Sequence, residues 1–338
     1  MRAAVFRQAG APLSIEQVAV PQPGEGQILL RIASCGICGS DLHVTSGHGA
    51  TAPSGQILGH EYAGEIMEVG KGVTRLRVGD MVNAMPVSGC GHCPHCLIGE
   101  VKWCAARRTM QGGYAEYMLA GADTTFRLPA GLSADDGALV EPLAVGLHGV
   151  AMADLKLGSK VLVIGAGPVG LAAIFWARRL GAAKIAVTAS SDRRKALAMT
   201  LGATHFVTPS DGEDPVQAVN DAIGGPPDIV FECVGIEGMI QKSVDHVKRM
   251  GTVVVLGFCT SDDPWRPMTG LFKEAKIVFA YLYSKGEFEL CIDTLDAGHV
   301  ESRQMITDRI GLSELPDMFE ALRSRSTQCK VLVDPRIG

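Results

Sequence analysis

The sequence predicts an α/β protein of two parts, one β-rich and one built on a doubly wound parallel sheet, and three observations carry that prediction. A strand, a glycine turn, a helix and a second strand follow one another between Lys160 and Arg194. Residues 1–33 instead alternate short strand-like runs with turns. At 338 residues the chain exceeds what one hydrophobic core usually serves, and its composition shifts near residues 143–159. The expected division is 1–143 with 284–338 in one domain and 144–283 in the other.

Lys160-Val161-Leu162-Val163-Ile164 is a β-branched and aliphatic run suited to a buried parallel strand. It breaks into Gly165-Ala166-Gly167-Pro168-Val169-Gly170, then into the small and apolar residues Leu171–Leu180. Gly181-Ala182-Ala183 ends that helix, and Lys184–Thr188 reads as the next strand. The whole takes about the 30 residues of a dinucleotide-binding βαβ unit. Gly165 permits the tight turn, Gly167 admits a pyrophosphate close to the backbone, and Gly170 lets helix and strand approach. The helix N-terminus then offers free N–H groups to phosphate. A glycine turn closing a parallel sheet without any nucleotide is the plainer alternative. Val161 to Ala177 carry no charge over 17 residues, but three glycines and a proline at their centre argue against a membrane span.

An NAD site usually places Asp or Glu at the end of the second strand, about 20 residues past the glycines. Here Thr188 is followed by Ala189-Ser190-Ser191-Asp192-Arg193-Arg194. With Ala189 at the carboxylate position nothing repels a 2′-phosphate; Ser190 and Ser191 can donate to it, and Arg193 and Arg194 can supply charge. NADP(H) is therefore expected over NAD(H). Two alternatives stay open: arginines that only solvate the next helix, and Asp192 serving the ribose.

Hydrophobic content of 47% and a net charge of −5 describe a globular chain with no preference for polyanions, so neither nucleic acid nor a membrane is an expected partner. Arg2 and Arg7 interrupt the only apolar run in Met1–Gly26, so no signal peptide is expected there, and ten cysteines fit a reducing cytoplasm.

Cysteine, histidine and carboxylate side chains recur in three fragments: Cys35-Gly36-Ile37-Cys38-Gly39-Ser40-Asp41-Leu42-His43, Gly59-His60-Glu61 and Glu141-Pro142-Leu143. Such groups ligate zinc, and three protein ligands with one open position make a catalytic site. Cys35 reads as a small buried hydrophobe, and His48, His148 and His205 as ordinary residues. Residues 89–104 are sharper: Cys90, Cys93, Cys96 and Cys104 stand at C-x2-C-x2-C-x7-C spacing, suited to one closed tetrahedral zinc. Their loop has little apolar content of its own, so a metal must hold it. His92 and His95 are rival ligands inside the cysteine turns, and an iron–sulfur cluster is a rival occupant.

These fragments and the glycine turn occur in the order and spacing of the zinc-dependent medium-chain alcohol dehydrogenases, and Glu141-Pro142-Leu143 resembles their sorbitol and threonine dehydrogenase branch. The resemblance spans essentially the whole chain. It implies a GroES-like β-rich catalytic domain, with a zinc lobe at 89–104, and a Rossmann coenzyme domain. It also implies two zinc ions per subunit and a homodimer or homotetramer. Cys38, His60 and Glu141 match the catalytic zinc ligands, and Glu61 a residue that in relatives can replace the zinc-bound water. Asp41 matches the residue that orients the ligand imidazole, and Ser40 and His43 the proton relay. Lys330 falls where relatives place a basic residue near the cofactor pyrophosphate, a plain surface lysine being the alternative. Separately, Asp228–Gly235 and Gly251–Gly257 read as further buried strands whose ends form a cofactor crevice, so Leu256 and Phe279 are expected on its nicotinamide side, plain core residues being the alternative.

The sequence also departs from the polyol branch. Val44 follows the relay histidine where those relatives usually have Tyr, and Phe279-Ala280-Tyr281 stands where they carry Phe-Arg-Tyr. Losing two donors leaves few anchors for hydroxyls, which implies a more apolar secondary alcohol or ketone. Zinc-free quinone or enone reduction and a non-catalytic NADP-binding sensor are the competing functions; the Cys38, His60 and Glu141 set counts against the first, Ser40 and His43 against the second.

Overall fold

A computed structural model describes residues 1–47, 51–209, 212–324 and 327–337; His48 lies outside the described residues. The chain forms two compact units, Met1–Glu141 with Tyr283–Gly338, and Pro142–Leu282. Pro142, Leu143 and Tyr283 thus change sides relative to the boundaries read from sequence. The cause is local packing: Tyr283 donates to Glu141 at 3.1 Å and stacks on Phe288, while the Leu143 carbonyl accepts from Trp176 Nε1 at 2.9 Å.

The second unit is built on six parallel strands in the spatial order His205–Val207, Lys184–Thr188, Lys160–Ile164, Ile229–Glu232, Thr252–Val255, Lys276–Phe279. The chain enters at the third of these, winds outward to one side and returns to the other. The strand order therefore reverses between Lys160–Ile164 and Ile229–Glu232, where open α/β sheets leave a crevice at the strands' carboxyl ends. Val161, Leu162 and Val163 are fully buried, as a strand covered on both faces requires. The helix Pro168–Arg179 starts with Gly167 as its N-cap and buries every residue from Gly170 to Ala177. Gly181, at φ 100°, then turns the chain into Lys184–Thr188.

The first unit contains a seven-stranded sheet ordered Ile306–Gly311, Lys330–Asp334, Gln27–Gly36, Glu61–Val69, Met81–Ala84, Thr125–Arg127, with Tyr117–Gly121 also paired to Gln27–Gly36. Gln27–Gly36 runs three residues beyond the Ala33 end expected from sequence, because both neighbours extend it. Cys35 and Gly36 pair with Tyr62 and Glu61 on one side and with Val333 and Leu332 on the other. That register gathers the chain before Cys38, the start of the strand after His60, and Lys330 at one end of the sheet.

Residues Ala134–Met152 form a 19-residue helix that spans the junction at Glu141, with Pro142 inside it. Asp136 accepts from the Ser133 amide at 2.8 Å and hydroxyl at 2.7 Å, and from Arg303 Nε at 2.6 Å and Nη2 at 3.0 Å. Burial raises its pKa, but Arg303 and Ser133 outweigh that and hold it below the ordinary value. A depressed carboxylate stabilises the fold above its unfolded pKa, and the contribution disappears as pH falls through the folded value. Asp136→Asn is therefore expected to cost about 1.5–3 kcal/mol at pH 7, with the gap to the wild type closing toward acid. Urea unfolding of both proteins at pH 7 and at acid pH measures it; a pH-independent gap would contradict the assignment.

Candidate active site

Cys38, His60 and Glu61 each place a ligand atom within 4.8 Å of the others. Local backbone makes this possible. A Cβ on Gly36 would lie 2.0 Å from Glu61 Oε2, and one on Gly59, at φ 91°, would lie 2.7 Å from the Tyr114 ring, so glycine is required at both places. Asp41, 2% exposed, faces His60 Nδ1 at 3.3 Å and accepts from the Tyr114 hydroxyl at 2.6 Å. This leaves Nε2 as the His60 nitrogen that could hold a metal. Burial presses the His60 imidazolium down, yet Asp41 and Cys38 outweigh it and hold the pKa well above the ordinary value, so a metal at this ring competes with a proton. Ser40 Oγ donates to Cys38 Sγ at 3.3 Å. His43 lies on the same short helix, Gly39–Val44, three residues on. Its pKa is lowered by burial and by Arg323, which ties down the end of that helix through the Leu42 carbonyl and the Thr45 hydroxyl, both at 2.7 Å.

Glu141 stands outside this close trio. It is 5% exposed and accepts from Tyr283 at 3.1 Å. Burial pushes its carboxyl up to about 7, Glu61 adds to that, and His60 and Lys330 oppose it. Those charges place it in the same buried neighbourhood.

Lys330 is buried and is not the plain surface lysine that the sequence left as an alternative. Its Nζ donates to both Glu61 oxygens, at 2.7 and 2.6 Å, and to the Ile37 carbonyl at 3.0 Å, with both side chains 1% exposed. A charge at the head of the apolar run Val331-Leu332-Val333 was the only sequence signal for it. Tyr114 and Tyr283, which hold Asp41 and Glu141, gave no signal in the sequence.

Cys90, Cys93, Cys96 and Cys104 form a second group with sulfurs within 4.8 Å. The amides of Cys90 and Cys93 donate to Cys104 Sγ and Cys90 Sγ, both at 3.4 Å. Amides of His92 and Cys93 hold the Cys90 thiol down, at about 6, while burial and neighbouring thiols push Cys96 up to about 12. Four thiolates this close repel unless a cation sits among them, so the donor set fits a tetrahedral metal. His92 and His95 are exposed and outside the group, and none of the ten cysteines forms a disulfide. Cys35 is fully buried.

In the second unit Gly165 takes φ 101°, where a Cβ would meet Val234 Cγ2 at 2.8 Å; a Cβ on Gly170 would lie 2.0 Å from the Gly165 carbonyl oxygen. At Gly167 nothing stands closer than Arg194 Nη1 at 4.0 Å, which leaves the backbone open to a ligand. Arg194 donates to the Ala166 carbonyl at 3.2 Å and Arg193 Nε to Ser191 Oγ at 3.1 Å, while Asp192 accepts from the Thr208 hydroxyl. Leu256 packs on Gly149, and Phe279 is 64% exposed.

A glycine-turn parallel sheet in one unit, and a cysteine–histidine–carboxylate cluster with a four-cysteine lobe in the other, define a zinc-type dehydrogenase. Residues 24–130 match the family "Alcohol dehydrogenase GroES-like domain" and residues 168–297 the family "Zinc-binding dehydrogenase". The chain is 32% identical to the sorbitol dehydrogenase of Bacillus subtilis (strain 168), with 99% of this chain and 97% of that protein covered. It is 31% identical to the (R,R)-butanediol dehydrogenase of the same organism, with 96% of each covered. The crystal structure of a candidate zinc-binding dehydrogenase from Sinorhizobium meliloti 1021, bound to NADP, matches with a TM-score of 0.89 at 33% identity over 99% of both chains. The chain belongs to the zinc-dependent medium-chain alcohol dehydrogenases and is sorbitol-dehydrogenase-like. Its two units have the GroES-like and Rossmann folds of that family. No helix among the described residues is long and apolar enough to cross a membrane.

Proposed function

We propose that this chain is an NADP(H)-preferring alcohol dehydrogenase and carbonyl reductase of the cytoplasm, interconverting a relatively apolar alcohol, secondary by preference, and the corresponding ketone (or, from a primary alcohol, the aldehyde). The observation that carries the reading is the Cys38–His60–Glu61 cluster with Asp41 on the far nitrogen of His60. In this reading Cys38, His60 and Glu141 hold one zinc, with Glu61 in reserve, and Cys90, Cys93, Cys96 and Cys104 hold a second. The first supplies, when bound, Lewis acidity toward the alcohol or carbonyl oxygen. A nicotinamide cofactor, when bound, would supply or accept the hydride. Asp41 keeps the His60 ring oriented. Ser40 takes the alcohol proton and passes it to His43, whose lowered pKa favours release to solvent near neutrality. Glu61 is held on Lys330.

Arg194 beside the glycine turn and Asp192 engaged by Thr208 support the 2′-phosphate assignment to Ser190, Ser191, Arg193 and Arg194. The structural neighbour bound to NADP favours it too. The second reading, an NAD-dependent polyol dehydrogenase, is favoured by the names of the sorbitol and butanediol dehydrogenase relatives. Oxidation of NADPH and NADH with aliphatic, cyclic, aromatic and polyhydroxy ketones separates the two. Strong NADPH turnover of apolar ketones, lost on chelation, is the expected result; NADH with polyhydroxy ketones would establish the second reading.

A homodimer or homotetramer is part of the proposal. Lys276–Phe279 is an edge strand, and Met268, Leu271, Phe272 and Phe279 nearby are 64–70% exposed. An apolar sheet edge left in water invites pairing with another strand. Sedimentation is expected to give at least twice the mass of one chain, and Leu271→Glu with Phe272→Glu to reduce it.

A further inference from the structure

The strand Ile229–Glu232 ends on a carboxylate that is 1% exposed and has no part in the reaction above. Glu232 Oε1 accepts from the amides of Val234 at 2.7 Å and Gly235 at 2.9 Å. Its main-chain oxygen accepts from Leu256 at 2.8 Å and Gly257 at 3.0 Å, at the end of the neighbouring strand. The two turns that follow these strands are in backbone contact. A Cβ on Gly257 would lie 2.3 Å from both Glu232 Oε2 and the Gly235 nitrogen, and one on Gly235 would lie 2.5 Å from the Phe258 nitrogen. The first turn also reaches the glycine turn, since Val234 Cγ2 occupies the space a side chain at Gly165 would need. Cys233 N donates to the Ile164 carbonyl at 3.0 Å, which closes the set.

The geometry points to Glu232 as a positioning residue: its carboxylate holds the Val234–Gly235 turn while its main-chain oxygen holds Leu256 and Gly257, and the residue so joins the two turns beside Gly165 and sets the shape of the crevice that takes the nicotinamide cofactor. This rests on the reading that the Pro142–Leu282 unit binds that cofactor. The physical case is that amides from two turns converge on one buried residue, two on its carboxylate and two on its main-chain oxygen, at the carboxyl ends of adjacent strands, beside the point where the strand order reverses. Burial raises the carboxyl pKa, and the amides of Gly235, Val234 and Gly257 counter it. Amides that find no acceptor in a buried turn rearrange to find one, and the turns would separate. Glutamine is a sharp probe, because it keeps one acceptor oxygen and puts an NH2 group in place of the other.

The experiment measures NADPH and NADH dissociation constants by calorimetry for the full-length wild type and Glu232→Gln, with thermal midpoint, metal content and kcat at saturating cofactor. We expect Glu232→Gln to weaken binding of the preferred cofactor roughly tenfold, with metal content unchanged and kcat within about threefold. Unchanged affinity beside a lowered thermal midpoint would overturn the proposal, since Glu232 would then serve stability alone. A wild type that binds neither dinucleotide would overturn the underlying cofactor reading as well. Should the variant fail to fold, hydrogen exchange on the wild type decides: added cofactor must slow exchange at Val234, Gly235 and Gly257, and no change there would overturn the inference.

Discussion

Cys38→Ser is expected to lower alcohol oxidation about a thousandfold or more, a barrier increase of about 4 kcal/mol, and to lose one of the two proposed zinc equivalents. Serine keeps the size and removes the thiolate, the only soft anionic donor in the Cys38, His60, Glu61 trio. The Ser40 hydroxyl would also lose the sulfur to which it donates at 3.3 Å. Asp41→Asn should cost less, about 10–100-fold, because the histidine remains and only its orientation and basicity suffer. Metal analysis with kcat/KM for both variants tests this order. A Cys38→Ser protein that keeps activity within tenfold would refute the assignment of Cys38, and a metal loss from the four-cysteine lobe alone would misplace it.

Lys330→Met is expected to destabilise the first unit by about 3–5 kcal/mol. Both partners of the Lys330–Glu61 pair are 1% exposed, so removing the ammonium strands a carboxylate where water cannot reach it. Glu61→Gln in the same chain should restore much of the loss, since a neutral amide needs no counter-charge. Burial lowers the Lys330 pKa, but Glu61 and Cys38 more than compensate and raise it. A raised lysine stabilises fully below its unfolded value, near 10.4, and the contribution is lost only as pH rises through the folded value. The effect of Lys330→Met is therefore flat across neutral pH. Denaturant unfolding of the two single variants and the double variant completes the cycle; additive losses would mean that the pair is not coupled.

What was legible in the sequence is what local patterning determines. Lys160–Ile164 and Lys184–Thr188 form the strands that their β-branched and aliphatic runs predict. The helix Lys285–Asp296 starts at Ser284, whose capping box with Glu287 is a short-range signal. Glycine roles at 165, 167 and 170 were readable because each follows from one backbone position. Non-local pairing was not readable. Glu61–Val69 contains Gly64, Glu65 and Glu68, so it does not look like a core strand until Gln27–Gly36 lies beside it. Tyr114 reaches Asp41 across 73 positions and Lys330 reaches Glu61 across 269, distances over which no sequence period exists. Buried or exposed, a lysine heading an apolar strand has the same spelling. The helix Ala134–Met152 was hidden by Pro142, which local propensity places outside helices.

The return of the last strand to the first unit has a consequence for biosynthesis. Residues 142–282 are contiguous and draw all six strands of their sheet from within that segment, whereas the sheet around Cys38 and Glu61 needs Lys330–Asp334 to flank Gln27–Gly36. Until that segment emerges, Glu61 has no ammonium and Cys35 no neighbour on one side. At about 5–20 residues per second, the nascent N-terminal portion waits many seconds with an open edge and an unpaired acid. The portion made first is thus the portion completed last, and chaperone demand should fall on it during translation.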